Sequence, residues 1–287
     1  KFSEIFANVF FDFSQSSFYL IVSHIFTYIM IRDATNFDKK HILEFCKNTF
    51  SWGDYIPDVW NYWLSEGNLF LFEKQFPTGI CHASYLKDQI WIEGIRIDPD
   101  FRRCKIASSL VQHAESIGKE KHAIFSYMLI DTENSQSMKM ADSLGYDVFQ
   151  TWNFYSLMPK ITTNFDIHFV TSFDYQKFPH YVKSWRWIPF DDEIISKLCE
   201  QKKIISSNVD GNNSFSILTD SEHFEKTLIV TLFSNSKKSS SHIISFLQNF
   251  AIENNYERIQ ILTKEQLSFH DSLEHKLSFH LMKKSLV

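Results

Sequence analysis

Glycine and proline are scarce in this chain, with 7 and 6 among 287 residues. Few glycines leave few positions where a backbone can approach a ligand closely, so a phosphate-cradling loop built on glycine is hard to place. Cysteine is nearly as rare. Cys46, Cys81, Cys104 and Cys199 are scattered without a CxxC pair or Cys/His ligand spacing, which reads as reduced thiols in a cytoplasmic protein and speaks against a structural zinc site. Excess positive charge is missing too: the formal net charge is −5, and no basic stripe offers a footprint for nucleic acid or an anionic membrane. The first 29 residues are rich in Phe and Ile, but Asp12, Gln15, Ser23 and His24 interrupt every span. The longest apolar run falls short of the roughly 20 residues of a membrane helix, and no basic region or small-residue cleavage site marks a signal peptide. Met30 stands directly before a segment that reads like the start of a domain. Residues 1–29 are therefore expected to be an upstream extension, the alternative being an N-terminal helix packed on the domain.

Large flat side chains are abundant, with 29 Phe, 11 Tyr and 7 Trp. They supply much of the burial. Hydrophobic residues make up 44% and charged residues 22%, a balance that folds rather than staying disordered. The length gives a prior for two compact units.

After Met30 the periodicities predict a strand (IMIRDA), a helix (NFDKKHILEFCKN), two strands around Pro77-Thr78-Gly79 (NLFLFEKQ, GICHASYL) and a strand IWIEGIRIDP. A helix from about Ile106 to Lys119 follows, then a strand AIFSYMLID, a helix stopped near Gly145 and a closing strand VFQTWNFYSLM. This is a mixed α/β sheet with helices on its faces. Pro159–Asn164 reads as a linker between units at 30–159 and 160–287. Beyond it the order recurs: FDIHFVT as a strand, a helical region through Lys203, NSFSILTD and TLIVTLFSN as strands, SSHIISFLQNFAIENNY as a helix, ERIQILTK as a strand and SFHDSLEHKLSFH as a helix. The parallel lies in element order, not residue identity, and predicts a diverged internal duplication.

The segment IEGIRIDPDFRRCKIASSLVQHAESIG is the informative one. It joins an apolar strand, an Asp-Pro corner, Arg102 and Arg103, and the first turn of an amphipathic helix, where unpaired N–H groups and the helix dipole attract phosphate. Its strings IRIDP and RRCKIA resemble the signature of the GCN5-related N-acetyltransferase (GNAT) family, an apolar strand ending in V-x-P followed by R/Q-x-x-G-x-G/A. The resemblance implies a GNAT fold, with a mixed, mostly antiparallel twisted sheet, and acetyl-CoA as cosubstrate. The pantetheine arm would pair with backbone groups of Ile95 and Ile97, and Arg102 would flank the pyrophosphate. The pyrophosphate itself would lie over the amides of Arg103, Cys104, Lys105, Ile106, Ala107 and Ser108. Asn134 matches the family's Asn on the cofactor arm, and LGY its closing LGF. Two positions depart from the pattern: Lys105 stands at a Gly of the motif, and Ala141 where a Tyr often protonates the leaving thiolate.

The implied activity is transfer of an acetyl group to the primary amine of a small molecule or amino acid, the alternative being a non-catalytic acyl-CoA sensor or interaction protein. Glu93 is the preferred base, with pairing to Arg96 as its structural reading, and Tyr127 is the candidate acid. FSWGDYIPDVWNYWLSEG lies where the family builds its acceptor pocket, so Asp54 and Tyr55 are candidates to grip the acceptor, and Trp60 and Trp63 to wall it. That segment also resembles one in a two-halved subgroup that includes a histidine N-acetyltransferase. In the second half no R-x-x-G-x-G follows TLIVTLFSN. That half is expected to be a degenerate GNAT-like copy that covers the first half's open side, with Trp185, Trp187 and Asp191 facing the cleft. His270, His275 and His280, five apart, do not share a helical face as ligands would.

Overall fold

The computed structural model describes residues 30–287 apart from 51, 52, 177, 268 and 269, so the expectation for residues 1–29 lies outside the described residues. The chain opens with β1 (Met30–Asp33), α1 (Lys39–Cys46) and α2 (Ile56–Glu66), then β2 (Leu69–Glu73), β3 (Pro77–Leu86) and β4 (Gln89–Ile97). The helix α3 (Ile106–Glu120), strand β5 (Phe125–Asp131), helix α4 (Ser135–Ser143) and strand β6 (Asp147–Leu157) follow. The second half contributes β7 (His168–Phe169), the hairpin β8 (His180–Lys183) and β9 (Arg186–Pro189), α5 (Asp192–Glu200), β10 (Ile204–Val209) and β11 (Asn212–Asp220). It ends with β12 (Thr227–Phe233), α6 (Lys237–Glu253), β13 (Arg258–Thr263) and β14 (Leu273–Ser285).

Twelve strands form one sheet in the order β1-β2-β3-β4-β5-β14-β6-β13-β12-β11-β10-β7. Among the described residues only β4–β5 and β12–β13 run parallel, and each of these pairs is linked by a helix, α3 or α6. That repeated β–α–β unit is the duplication expected from element order. The halves do not close separately, because β14 from the chain's end lies between β5 and β6 while β6 pairs with β13. A buried network fixes the exchange: Tyr146 donates to Glu115 Oε1 (2.8 Å), and Lys284 of β14 donates to Glu115 Oε2 (2.7 Å).

Apolar faces follow from the alternation. Met128 and Ile130 of β5 pack under α3 with Leu110, Val111 and Ala114, while Trp91 and Tyr127 point to the other face, against Trp187 and Trp152. There α1 and α2 cover β2 and β3 through Ile42, Val59, Trp60, Trp63, Leu69 and Leu71.

Three local expectations are corrected. SFHDSLEHKLSFH is not helical: from Leu273 the chain is a strand of 13 residues, because a place between β5 and β6 satisfies its backbone on both edges, and that tertiary ladder outweighs a weak β-propensity. The helical region before Lys203 begins with the β8–β9 hairpin and becomes a helix only at Asp192. FDIHFVT contributes just the two paired residues of β7.

At the start of the sheet, Asp38 accepts two hydrogen bonds from Arg32 (2.9 and 2.7 Å) and two from Thr35. The Arg32 hydrogen bonds, outweighing burial, hold its carboxyl at about 2. Asp38 therefore adds stability that is complete above its unfolded pKa near 4 and is lost as pH falls toward 2. Asp38→Asn should remove about 2 kcal/mol at pH 7 and much less at pH 2.5, as read by urea unfolding at the two pH values.

Candidate active site

The site begins where two strands part. β4 and β5 pair in parallel from Gln89↔Phe125 to Ile92↔Met128, and no further. At the same point β4 carries a bulge, as its register against β3 slips between Ile80 and His82. Gly94 makes the bulge possible, with φ +64°; a Cβ there would lie 2.3 Å from Trp63. Trp63 thus packs where only glycine fits, which bends β4 away from β5. Asp98 N donates to Thr78 O (2.9 Å), and alternation along an antiparallel strand turns the amides of Ile97 and Ile95 to the opposite edge, into the gap. The carbonyl of Ile95 accepts from Arg96 Nη1 (3.1 Å) and that of Ile97 from Arg102 Nε (3.5 Å).

The end of β4 leads through the short 3₁₀ turn Pro99–Phe101 into α3. Arg103 (φ +62°) and Lys105 (φ +59°) both adopt the left-handed conformation, so Lys105 takes the backbone shape for which the motif uses glycine. Arg102, Arg103, Cys104 and Lys105 are exposed, and Ile106 is buried as the anchor of the helix. The amides of residues 103–108 find no acceptor among the described residues, which leaves a concave run of donors at a positive helix end with three cationic side chains around it. Asn134 caps α4, accepting from Ser137 N (3.0 Å). Ala141 is fully buried in the core beneath.

Glu93 sits one residue past the last β4–β5 pair. Its Oε1 receives His82 Nδ1 (2.9 Å), Arg186 Nε (3.0 Å) and Arg186 Nη2 (2.6 Å); among the described residues its Oε2 receives only Trp91 Nε1 (3.1 Å). Arg186 also grips Glu66 through Nη1 and Nη2 (2.7 and 2.8 Å). His82 is wholly buried, with Nε2 3.1 Å from Gly67 O and its ring stacked on Trp63. Burial pushes the Glu93 carboxyl up, but the His82 hydrogen bond and the Arg186 charge together outweigh it and hold the group below its ordinary range. The alternative pairing of Glu93 with Arg96 is corrected: Arg96 instead grips Asp54 (2.6 and 3.0 Å), flanked by the rings of Phe50 and Tyr55.

Several expected acceptor contacts fall elsewhere. Asp54 has 1% of its side chain exposed and is consumed by Arg96, as a buried carboxylate requires a partner. Trp60 and Trp187 are fully buried core residues, and so wall no cleft. Trp185 is partly buried, its Nε1 on Gln260 Oε1 (2.9 Å), and Asp191 caps α5 by accepting from Ile194 N. Tyr55 packs edge-on against Trp63 beside Arg96. Tyr127 lies opposite Trp91 in the closed part of the strand pair, among Phe125, Phe149 and His180. Burial, with Asp88 adding to it, raises its phenol well above the usual range, which makes it a reluctant proton donor. Sequence reading missed His82, Glu66 and Arg186. Only the Glu93 position carried a signal; its partners are brought in by the β3 register, the end of α2 and a hairpin from the other half.

The comparisons place this arrangement, a parallel strand pair that splays beside a donor-rich helix start, in a known fold. Residues 38–146 match the model of the Acetyltransferase (GNAT) family. Among solved structures, a candidate acetyltransferase from Thermoplasma acidophilum is similar over 90% of this chain and 100% of its own, with a TM-score of 0.62 at 15% identity. A GCN5-related N-acetyltransferase from Sphaerobacter thermophilus covers 90% of this chain and 96% of its own, with a TM-score of 0.61 at 9% identity. A tandem GNAT protein from the clavulanic acid biosynthesis pathway covers 91% and 99%, with a TM-score of 0.51 at 9% identity. No curated protein matches the sequence. The chain therefore has the GNAT fold, with a second GNAT-like half.

The left-handed Lys105 generates a test independent of activity. Lys105→Gly should raise stability by about 1 kcal/mol and Lys105→Val lower it, since the strain of this conformation is absent for glycine and greatest for a branched side chain. Thermal unfolding of the three proteins reads the order directly.

Proposed function

We propose that this protein is an acetyl-CoA-dependent N-acetyltransferase whose acceptor is the primary amine of a small molecule or amino acid. The observation that carries the reading is the opening of β4 from β5 after Ile92 and Met128, with unpaired amides on one side and an ionised Glu93 at its edge. The residues fit the cosubstrate. Ile95 and Ile97 offer strand-edge amides to a pantetheine arm, and the amides of 103–108 with Arg102, Arg103 and Lys105 offer donors and charge to a pyrophosphate. Asn134 lies at the start of α4, where its side chain caps the helix and its remaining amide hydrogens are available to the arm.

The acceptor arrives as an ammonium and must lose a proton before its nitrogen attacks the thioester carbon. Glu93 Oε2, with one donor from protein, keeps a lone pair to receive that proton directly or through a water. The new C–N bond forms as the C–S bond breaks, and the thiolate leaves into the open mouth. Because Tyr127 lies in the closed part of the strand pair, opposite Trp91, we assign reprotonation of the thiolate to solvent in place of Tyr127. The likeness of the Trp-rich segment to the histidine N-acetyltransferase subgroup supports an amino acid as the acceptor to try first.

Acceptor-dependent release of CoA thiol across an amine panel tests the reading. Glu93→Gln should lower kcat by about 10²–10⁴-fold with the affinity for acetyl-CoA unchanged. Since Glu93 is held below the ordinary carboxylate range, it stays ionised through pH 6–9, and the rise of rate with pH in that window should follow the acceptor's ammonium and shift with the acceptor chosen. Acetyl-CoA binding with no acceptor-dependent thiol release from any amine would favour the non-catalytic alternative.

A further inference from the structure

Arg186 belongs to the second half of the chain, yet its guanidinium lies between two carboxylates of the first. Its Nε, Nη1 and Nη2 make four charge-assisted hydrogen bonds with Glu66 and Glu93 at 2.6–3.0 Å, and the side chain is only 7% exposed. A planar fork in that arrangement fixes both partners in orientation as well as in charge.

The hairpin that carries Arg186 is itself held rigidly. Its two-residue turn, Ser184 (φ +49°) and Trp185 (φ +64°), has both residues left-handed, the geometry that matches the twist of a tight hairpin. Trp185 Nε1 donates to Gln260, Ser184 Oγ accepts from Glu222 N (3.0 Å), Val182 N donates to Thr231 Oγ1 (2.7 Å), and Gln89 Nε2 donates to Trp187 O (2.8 Å). The guanidinium further lies 5.7 Å from the Tyr62 ring centroid. Everything around Arg186 thus pre-sets its position before any acceptor enters.

We propose that Arg186 is the positioning residue of the catalytic base: the second half completes the first half's site by supplying the counter-ion that holds Glu93 oriented and ionised. The proposal rests on reading Glu93 as the base. Glu93 has many neighbours: His82 and Cys81 on β3, Glu66 at the end of α2, Tyr55 at its start, and His223 on the β11–β12 loop. Burial keeps the His223 imidazole below its ordinary range, so it is a neutral neighbour, and His82 is shared with the Gly67 carbonyl. Arg186 is the guanidinium that meets both carboxylates, beside a His82 whose two ring nitrogens both face acceptors, and without it desolvation and the negative Glu66 would both favour the protonated carboxyl.

The sign of two substitutions separates this role from simple packing. In the full-length chain, Arg186→Gln should raise the pKa of Glu93 by about 1–3 pH units, Arg186→Lys should raise it less, and Glu66→Gln should lower it, because the guanidinium then serves one carboxylate. The readout is a ¹³C carboxyl NMR titration of Glu-labelled protein, with the Glu93 signal assigned by its loss in Glu93→Gln. In parallel, the kcat–pH profile of Arg186→Gln should gain a second acid limb at the raised Glu93 pKa, below the limb set by the acceptor's ammonium, with the KM for acetyl-CoA unchanged, and Arg186→Lys should recover part of the loss. If Arg186→Gln does not fold, Arg186→Lys and Glu66→Gln carry the test. A Glu93 titration that stays in place in the Arg186 variants, or rises in Glu66→Gln, overturns the proposal. A titration that moves while the pH profile does not would uphold the Arg186–Glu93 coupling and remove Glu93 as the base, so the two failures are distinguishable.

Discussion

A carboxylate placed inside a protein must be neutralised by proton or by partner, and most of this architecture follows from how Glu93 meets that demand. The position is set by β4, which must leave β5 to open a gap. Once the strand bends, the Glu93 side chain lies against His82 and Trp91 with 14% of it exposed. The first half supplies His82, the Trp91 indole and a second carboxylate, Glu66. The cation comes from the β8–β9 hairpin. Breaking such a buried pair by removing one partner is costly, of the order of 3–5 kcal/mol, because it strands the remaining charge.

The exchange of closing strands explains why a residue distant in sequence is so firmly placed. With β14 seated between β5 and β6, and β6 passed on to β13, neither half has a free sheet edge at the junction. The sheet is continuous across the junction, and the hairpin is tied to β4 by the hydrogen bond from Gln89 Nε2 to Trp187 O and by Trp91 stacked on Trp187. Tyr146, Glu115 and Lys284 lock the same junction from the helix side. The joining of the halves and the charge pairing of Glu93 are consequences of one arrangement.

The local chain was legible where chemistry is local. IRIDP and RRCKIA give the strand, the corner and the helix start, and the alternation of IWIEGIRI places Glu93 at the right point of β4. What could not be read was pairing over long distance. Nothing in LEHKLSFHLMKKS, which has no β-branched residue, announces a central strand, since its stability comes from ladders on both edges. Arg186 looked like part of a Trp-rich stretch, and attention to Trp185 and Trp187 passed over the charged residue between them. Likewise Asp54, Trp60 and Trp187 have the right chemistry for an acceptor pocket, but burial gives them to a salt bridge and two cores. Lys105 shows the converse: a residue that violates the motif in type satisfies it in conformation.

The most direct test of the account is calorimetric titration of acetyl-CoA into the full-length protein. The account predicts saturable one-site binding that weakens with salt and when Arg102 and Arg103 are replaced together by Ala, because the loop at the start of α3 meets the pyrophosphate. Absence of binding at high cosubstrate concentration would contradict it, leaving a GNAT fold whose opening does not receive the molecule its geometry fits.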